Sequence, residues 1–217
     1  MKGLILKDFI NLKKNFRIFG ILSLLYIFMA YVMKDAGFFS SIVTMLFAIL
    51  TLSLFSYDDM AKWDIYALTM PVTKDSMVSS KYIMLLLLTL LGTVFSSIIS
   101  IIMNIALKSD NILVSIPNSL IGAFIVIMLY AVVLPFIIKL GVEKARMVFF
   151  VVMIIPFVIV SVLQGFIKDG FQEVPKQLVT AFDFLSRFSG IILPAIAILV
   201  LYISYSISVE IYRKKEF

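Results

Sequence analysis

Asp58 and Asp59 form the only pair of adjacent carboxylates in a chain of 217 residues that has no histidine and no cysteine. Paired acids can divide proton transfer between a charged and a neutral member. Such a dyad needs a basic partner or a pocket. By sequence this pair has neither, because it stands where an apolar run ends, at a membrane surface. An aspartic-protease-like dyad is therefore not expected. The missing residue types close other routes. Without His or Cys there is no imidazole base, thiol nucleophile, disulfide or ordinary zinc site. No G-x-x-x-x-G-K-[ST] run occurs, so a Walker loop for ATP is absent. The expectation is a protein that is not an enzyme and carries no cofactor or metal of its own.

The elements that hold these residues are membrane spans. The chain is 62% hydrophobic and 15% charged, with a mean hydropathy of +1.11. Soluble chains run near half apolar and a quarter charged. Charge-free windows cover 18–33, 36–57, 82–107, 111–138, 147–167 and 188–209. Each is close to or above the roughly 20 residues that cross about 30 Å of hydrocarbon. Arg17 extends the first by snorkelling, and Pro117 marks the start of the fourth helix. The reading is an all-α integral membrane protein with a single transmembrane domain over 1–217. Six transmembrane helices are predicted over about 16–33, 36–57, 82–107, 118–138, 147–167 and 188–209. The first is read as a retained span, since no small-x-small cleavage pattern follows it.

The net charge of +6 is topological in such a chain, and no nucleic-acid partner is expected. Fourteen basic residues fall on one side of the predicted spans and five on the other. Lys and Arg collect on the cytoplasmic side, so both termini are expected there.

Three connecting segments carry pattern. In 1–15, MKGLILKDFINLKKN, the residues Ile5, Phe9 and Leu12 share a helical face with Phe16, away from the lysines. This predicts a basic amphipathic helix lying at the membrane–water interface. The plain alternative is a topology signal that happens to be helical. Residues 58–81 are 24 long, more than a connector needs. Asp58 and Asp59 lead into a short helix bearing Trp63, Tyr66, Ala67 and Met70. Pro71 ends it, and Asp75 or Ser76 caps the next. This predicts a docking element on the cytoplasmic face, the plain alternative being a solvated loop with an interfacial Trp. In 168–187 the spacing of Leu178, Phe182 and Leu185 predicts a short outer helix.

No ionisable residue lies within the six windows. Gradient-driven pumps keep such groups at depth despite their cost. What remains is a hydroxyl stripe on the third span. Thr89, Thr93, Ser96, Ser100 and Asn104 fall within an arc of about 80° at 100° per residue. Ser40, Thr44 and Thr51 form a weaker stripe on the second span. Small hydroxylated faces allow close helix packing, and they can also line a pathway or a dimer contact. Pro135, Pro156 and Pro194 lie inside spans and free carbonyls there.

The opening MKGLILKDF, six spans with both ends inside, and the run Trp63-x4-Leu68-x2-Pro71-Val72-Thr73-Lys74-x6-Lys81-Tyr82 together resemble the small ABC-2-type permease subunits of bacterial ABC exporters. The resemblance extends to the peptide-toxin and antimicrobial-peptide export and immunity group, such as phenol-soluble modulin exporters. It implies a membrane half-transporter in the bacterial plasma membrane that pairs with a second permease subunit, as homodimer or heterodimer. It also implies a separate ABC ATPase subunit, which would hold ATP and Mg2+. The segment 58–70 would be the coupling helix between helices 2 and 3. The ATPase-coupling residues would be Asp58, Asp59, Trp63, Tyr66, Met70 and Pro71, with Trp63 as the anchor. The loop 141–146, with Glu143 and Lys144, would be the secondary contact. Membrane lipid surrounds such a subunit, and a hydrophobic or amphipathic substrate, a peptide by preference, fits spans without buried charge. The competing readings are a gradient-driven carrier and a non-transporting scaffold or immunity protein.

Overall fold

In a computed structural model of the chain, the structure describes residues 2–33, 36–106, 115–169 and 189–215. Every regular element described is an α-helix: α1 Lys2–Met33, α2 Ala36–Met60, α3 Trp63–Leu68, α4 Lys74–Ala106, α5 Ser115–Leu140, α6 Val142–Asp169 and α7 Ser189–Lys214. Five of the six long helices contain a described stretch long and apolar enough to cross a membrane. The predicted span at 147–167 lies within α6, many of whose side chains are outside the described residues. The outer helix predicted in 168–187 falls almost wholly outside them.

Residues 2–15 and 16–33 form one uninterrupted helix, so the segment expected to lie in the interface is continuous with the first span. Nothing between them breaks a helix. Its 32 residues reach about 48 Å at about 1.5 Å each, well beyond the hydrocarbon. The basic first turns therefore extend past the apolar layer. Their buried side chains are Leu4, Asp8 and Leu12, whereas Phe9 is exposed. A charged residue on the buried stripe is a departure from the apolar face that spacing predicted.

Two other local expectations change. Helix α4 is capped by Thr73, whose Oγ1 accepts the Ser76 N–H at 3.2 Å, and not by Asp75 or Ser76. Asp75 sits instead in the first turn, where the helix dipole favours an anion. The expected loop after the fourth span is a single residue, Gly141, between α5 and α6. Its φ of 79° is one that side-chain-bearing residues rarely adopt. Pro117 stands in the first turn of α5, where its missing N–H costs nothing.

Helices α2, α4 and α5 pack on one another at the centre. Helix α1 lies on α2 and α4, α6 on α5 and α2, and α7 on α5 and α4. The main core joins Phe55, Tyr82, Leu85, Tyr130, Leu134 and Ile138, among others. A second cluster seats Leu12 of α1 among Leu50, Leu54, Met84 and Leu88. Lipid tails are as apolar as leucine, so packing between spans relies on close fit and small residues. At Gly92 of α4, an added Cβ would fall 2.7 Å from Phe47 Cβ and 3.3 Å from the Thr44 backbone. The helices touch there because that atom is absent.

Gly92→Leu is expected to cost about 1–3 kcal/mol by overpacking this contact. It should lower the midpoint of thermal unfolding in detergent. Gly20→Leu, at an exposed position with nothing within 4 Å, should leave that midpoint in place.

Candidate functional site

The ends of three helices bring four charged side chains together. Lys7 and Asp8 come from the first turns of α1, Asp58 from the last turn of α2, and Lys81 from the third turn of α4. Lys7 Nζ lies 2.6 Å from Asp58 and 3.1 Å from Asp8, and Lys81 Nζ lies 2.5 Å from Asp58 and 3.0 Å from Asp8. Each ammonium thus bridges two carboxylates and each carboxylate two ammoniums. The result is a closed, neutral ring. It is largely out of solvent, with the Asp8 side chain 1% exposed, Asp58 9% and Lys81 12%. Asp58 stands at a helix C-terminus, where the dipole disfavours an anion, so its two lysines hold the charge in place.

Local sequence offers Asp58 neither a basic partner nor a pocket, and the structure supplies both. The ring borders a cavity of about 40 Å³ lined also by Phe55, Trp63, Met77 and Tyr212. At about 10–15 Å³ per water, that admits a few water molecules and no larger ligand. With every charge compensated, the site is built for cohesion and not for proton transfer. Among the described residues, no group of three or more carboxylates is placed to hold a metal ion.

The short helix α3 is attached to this ring. Lys62 takes the left-handed region, φ 47°, and turns the chain out of α2 into α3. Trp63 then lies half-buried with its ring 4.1 Å from Lys7 Nζ. A cation over an indole face adds about 0.5–2 kcal/mol. Ala67 is buried behind it, whereas Ile65, Tyr66, Met70 and Met60 are exposed. Trp63 thus faces its own chain, and the outward apolar residues are its neighbours. Pro71 is exposed, two residues past the helix end at Thr69.

Asp59, the other member of the sequence pair, points elsewhere. Its Oδ2 accepts the Val142 N–H at 3.1 Å and so caps α6. This draws the exposed Glu143 and Lys144 to the same end of the bundle as α3. The C-terminal turn of α7 closes the assembly. Arg213 pairs with both oxygens of Asp75, and Lys74 Nζ donates to the carbonyls of Arg213 and Lys215. The 33 residues of α4 exceed a membrane's thickness, so Asp75 lies outside the span. The Arg213 guanidinium beside it holds the Asp75 carboxyl below its ordinary range. Both described chain ends therefore sit at this basic end.

The hydroxyl stripe lies elsewhere. Thr89, Thr93, Ser96 and Ser100 of α4, and Thr44 and Thr51 of α2, are all buried. Thr89 and Thr93 donate to the carbonyls one turn back, at 2.8 and 2.7 Å, and Thr44 and Ser96 join across the helices at 3.0 Å. Asn104 is half-buried, and the Ser40 side chain is outside the described residues. In this arrangement the stripe is a seam between α2 and α4. A path along it requires the two helices to part.

Lys7, Asp8 and Lys81 were not singled out by sequence as site residues. Two signals were present. Asp8 lies one turn from Leu4 and one from Leu12, a charge within an apolar stripe. Asp58 and Lys81 lie directly outside two consecutive spans, which places them at one depth on antiparallel helices.

Removing one member of a buried ring leaves a charge uncompensated, at about 3–5 kcal/mol. Lys81→Met should destabilise the detergent-solubilised protein by that order. The double variant Lys81→Met/Asp8→Asn should regain most of the loss, as a double-mutant cycle of thermal unfolding would show.

No curated protein and no solved structure matches the chain. A family model described as "ABC-2 family transporter protein" matches residues 3–213, nearly the whole length. That span takes in the ring, α3 and all six long helices. The chain is a multi-pass membrane transport component and belongs to the ABC-2 transporter family.

Proposed function

We propose that the chain is the permease subunit of an ATP-driven exporter in the bacterial plasma membrane. It pairs with a second permease subunit, identical or different. A separate ABC ATPase, which carries ATP and Mg2+, binds beneath it, at the cytoplasmic end where both termini lie. The cargo is hydrophobic or amphipathic, with an amphipathic peptide the favoured class. The observation that carries this reading is the two-sidedness of α3. Its inner face is tied by Trp63 to the charged ring, while Ile65 and Tyr66 stand exposed, as does Met70 just past its end. A connector with no partner has no use for an outward apolar face on a braced helix.

In this mechanism the ATPase grips Tyr66 and Met70, with Pro71 setting the end of the grip and Glu143 and Lys144 making a second contact. Asp58, Asp59 and Trp63 act one step inward. Movement of α3 passes through Trp63 to Lys7 and thence to α1, α2 and α4, and Asp59 carries it to α6. All four respond together because the ring cannot be displaced one charge at a time. A ligand shifts such a two-state bundle only by its differential affinity for the two states. Here that bias comes from nucleotide-dependent closure of the partner. The seam of Thr44, Thr51, Thr89, Thr93, Ser96 and Ser100, extended by Ser40 and Asn104, is the surface that parting of α2 and α4 would open to cargo or to the second subunit.

Extraction in mild detergent should co-purify an ABC ATPase. The double variant Tyr66→Ala/Met70→Ala should weaken that association by about 30-fold, the scale of an interface hot spot, while leaving the thermal midpoint of the isolated chain intact. Cargo transport by the chain alone in vesicles, driven only by a proton or sodium gradient, would overturn the reading.

A further inference from the structure

A second groove lies between α5 and α7, away from the charged ring. Its wall is formed by Val132, Pro135 and Phe136 of α5 and by Val200, Ile203 and Ile207 of α7, and it holds about 360 Å³. That is within the range of sites that take small ligands. The groove is built into the fold. Pro135 has no N–H for the Ala131 carbonyl, and the Ser204 hydroxyl of α7 donates to that carbonyl instead. Among the described residues the one serine on the wall is thus already engaged, and apart from Lys139 the rest of the lining is apolar.

One cation stands at the rim. Lys139 lies one turn beyond Pro135, at the basic end of the bundle, and lines the same groove. It is exposed and, among the described residues, has no ion-pair or hydrogen-bond partner. Lys7, Lys81, Arg213, Lys214 and Lys215 all have carboxylate partners.

An apolar trough opening sideways from two spans, with an unpaired ammonium at its aqueous end, repeats the layout of a lipid with an anionic head. We propose that this groove binds one acyl chain of an anionic phospholipid, with the headgroup phosphate held by Lys139. The proposal stands apart from the exporter reading, because it concerns neither α3 nor the α2–α4 seam. The bilayer presents acyl chains to this opening at all times, and Lys139 selects among them by charge. Basic side chains at a membrane surface draw anionic lipid in this way.

The test uses the full chain in phosphatidylcholine vesicles. The native tryptophan is removed by Trp63→Phe, and a reporter is placed in the groove by Phe136→Trp. Quenching is compared between brominated phosphatidylglycerol and brominated phosphatidylcholine at equal mole fraction. The expected result is an about fivefold preference for the anionic lipid. The preference should be lost in Lys139→Gln, kept in Lys139→Arg, and absent for a reporter at Leu90 on the exposed side of α4. A preference that is the same at both reporters, or that survives Lys139→Gln, would overturn the proposal in favour of a general charge effect. Quenching by both lipids at Leu90 and by neither at Phe136 would overturn it in favour of a second protein chain covering the groove.

Discussion

Four charges at the edge of a membrane must either stay in water or compensate one another, and Lys7, Asp8, Asp58 and Lys81 do the latter. Their alternation matters more than their number. A single buried pair often gains too little to offset its desolvation. In a ring each ion has two opposite neighbours, and each contact shields another from water. The geometry also fixes the relative height of α1, α2 and α4. Sliding any one of them by a turn, about 5.4 Å, would break two contacts at once. Trp63 over Lys7 and Asp59 on the α6 N-terminus then hang the rest of the basic end from this frame.

Around the ring the contacts are ionic, and away from it the packing is of another kind. The α2–α4 seam is held by a glycine contact and by hydroxyls that mostly bond back within their own helix. Such contacts separate at lower cost than ion pairs, because each threonine keeps its own carbonyl when the helices part. The chain thus combines an ion-paired end with a seam of weaker contacts, and α3 is joined to the ion-paired end. That is the mechanical form expected of a subunit driven from outside.

Much of this was legible in the residues. Five of the six predicted span positions coincide with helices long and apolar enough to cross a membrane, since the bilayer allows little else. The short helix after the second span, its end before Pro71 and the start of α5 near Pro117 followed from local backbone rules. The ring did not. Its bonded members are separated by up to 73 positions, and local reading left Asp58 without a partner. Local pattern alone divides α1 in two, because a basic amphipathic segment resembles an interfacial helix, and the burial of Asp8 shows why it continues straight. The family motif is informative in retrospect. Lys7 and Asp8 from the opening, Trp63, and Lys81-Tyr82 are distant in sequence, and the fold gathers them at one place.

The ring also has an order of assembly. During synthesis α1 and α2 enter the bilayer first, and Lys7 can then meet Asp58 while Asp8 lacks its second cation. Only emergence of Lys81 on α4 completes the circuit, and α7 later clasps the start of α4 through Arg213 and Asp75. A nascent chain halted after its second hydrophobic stretch therefore holds two of the carboxylates but one of the ammoniums, and one negative charge stays uncompensated until α4 arrives.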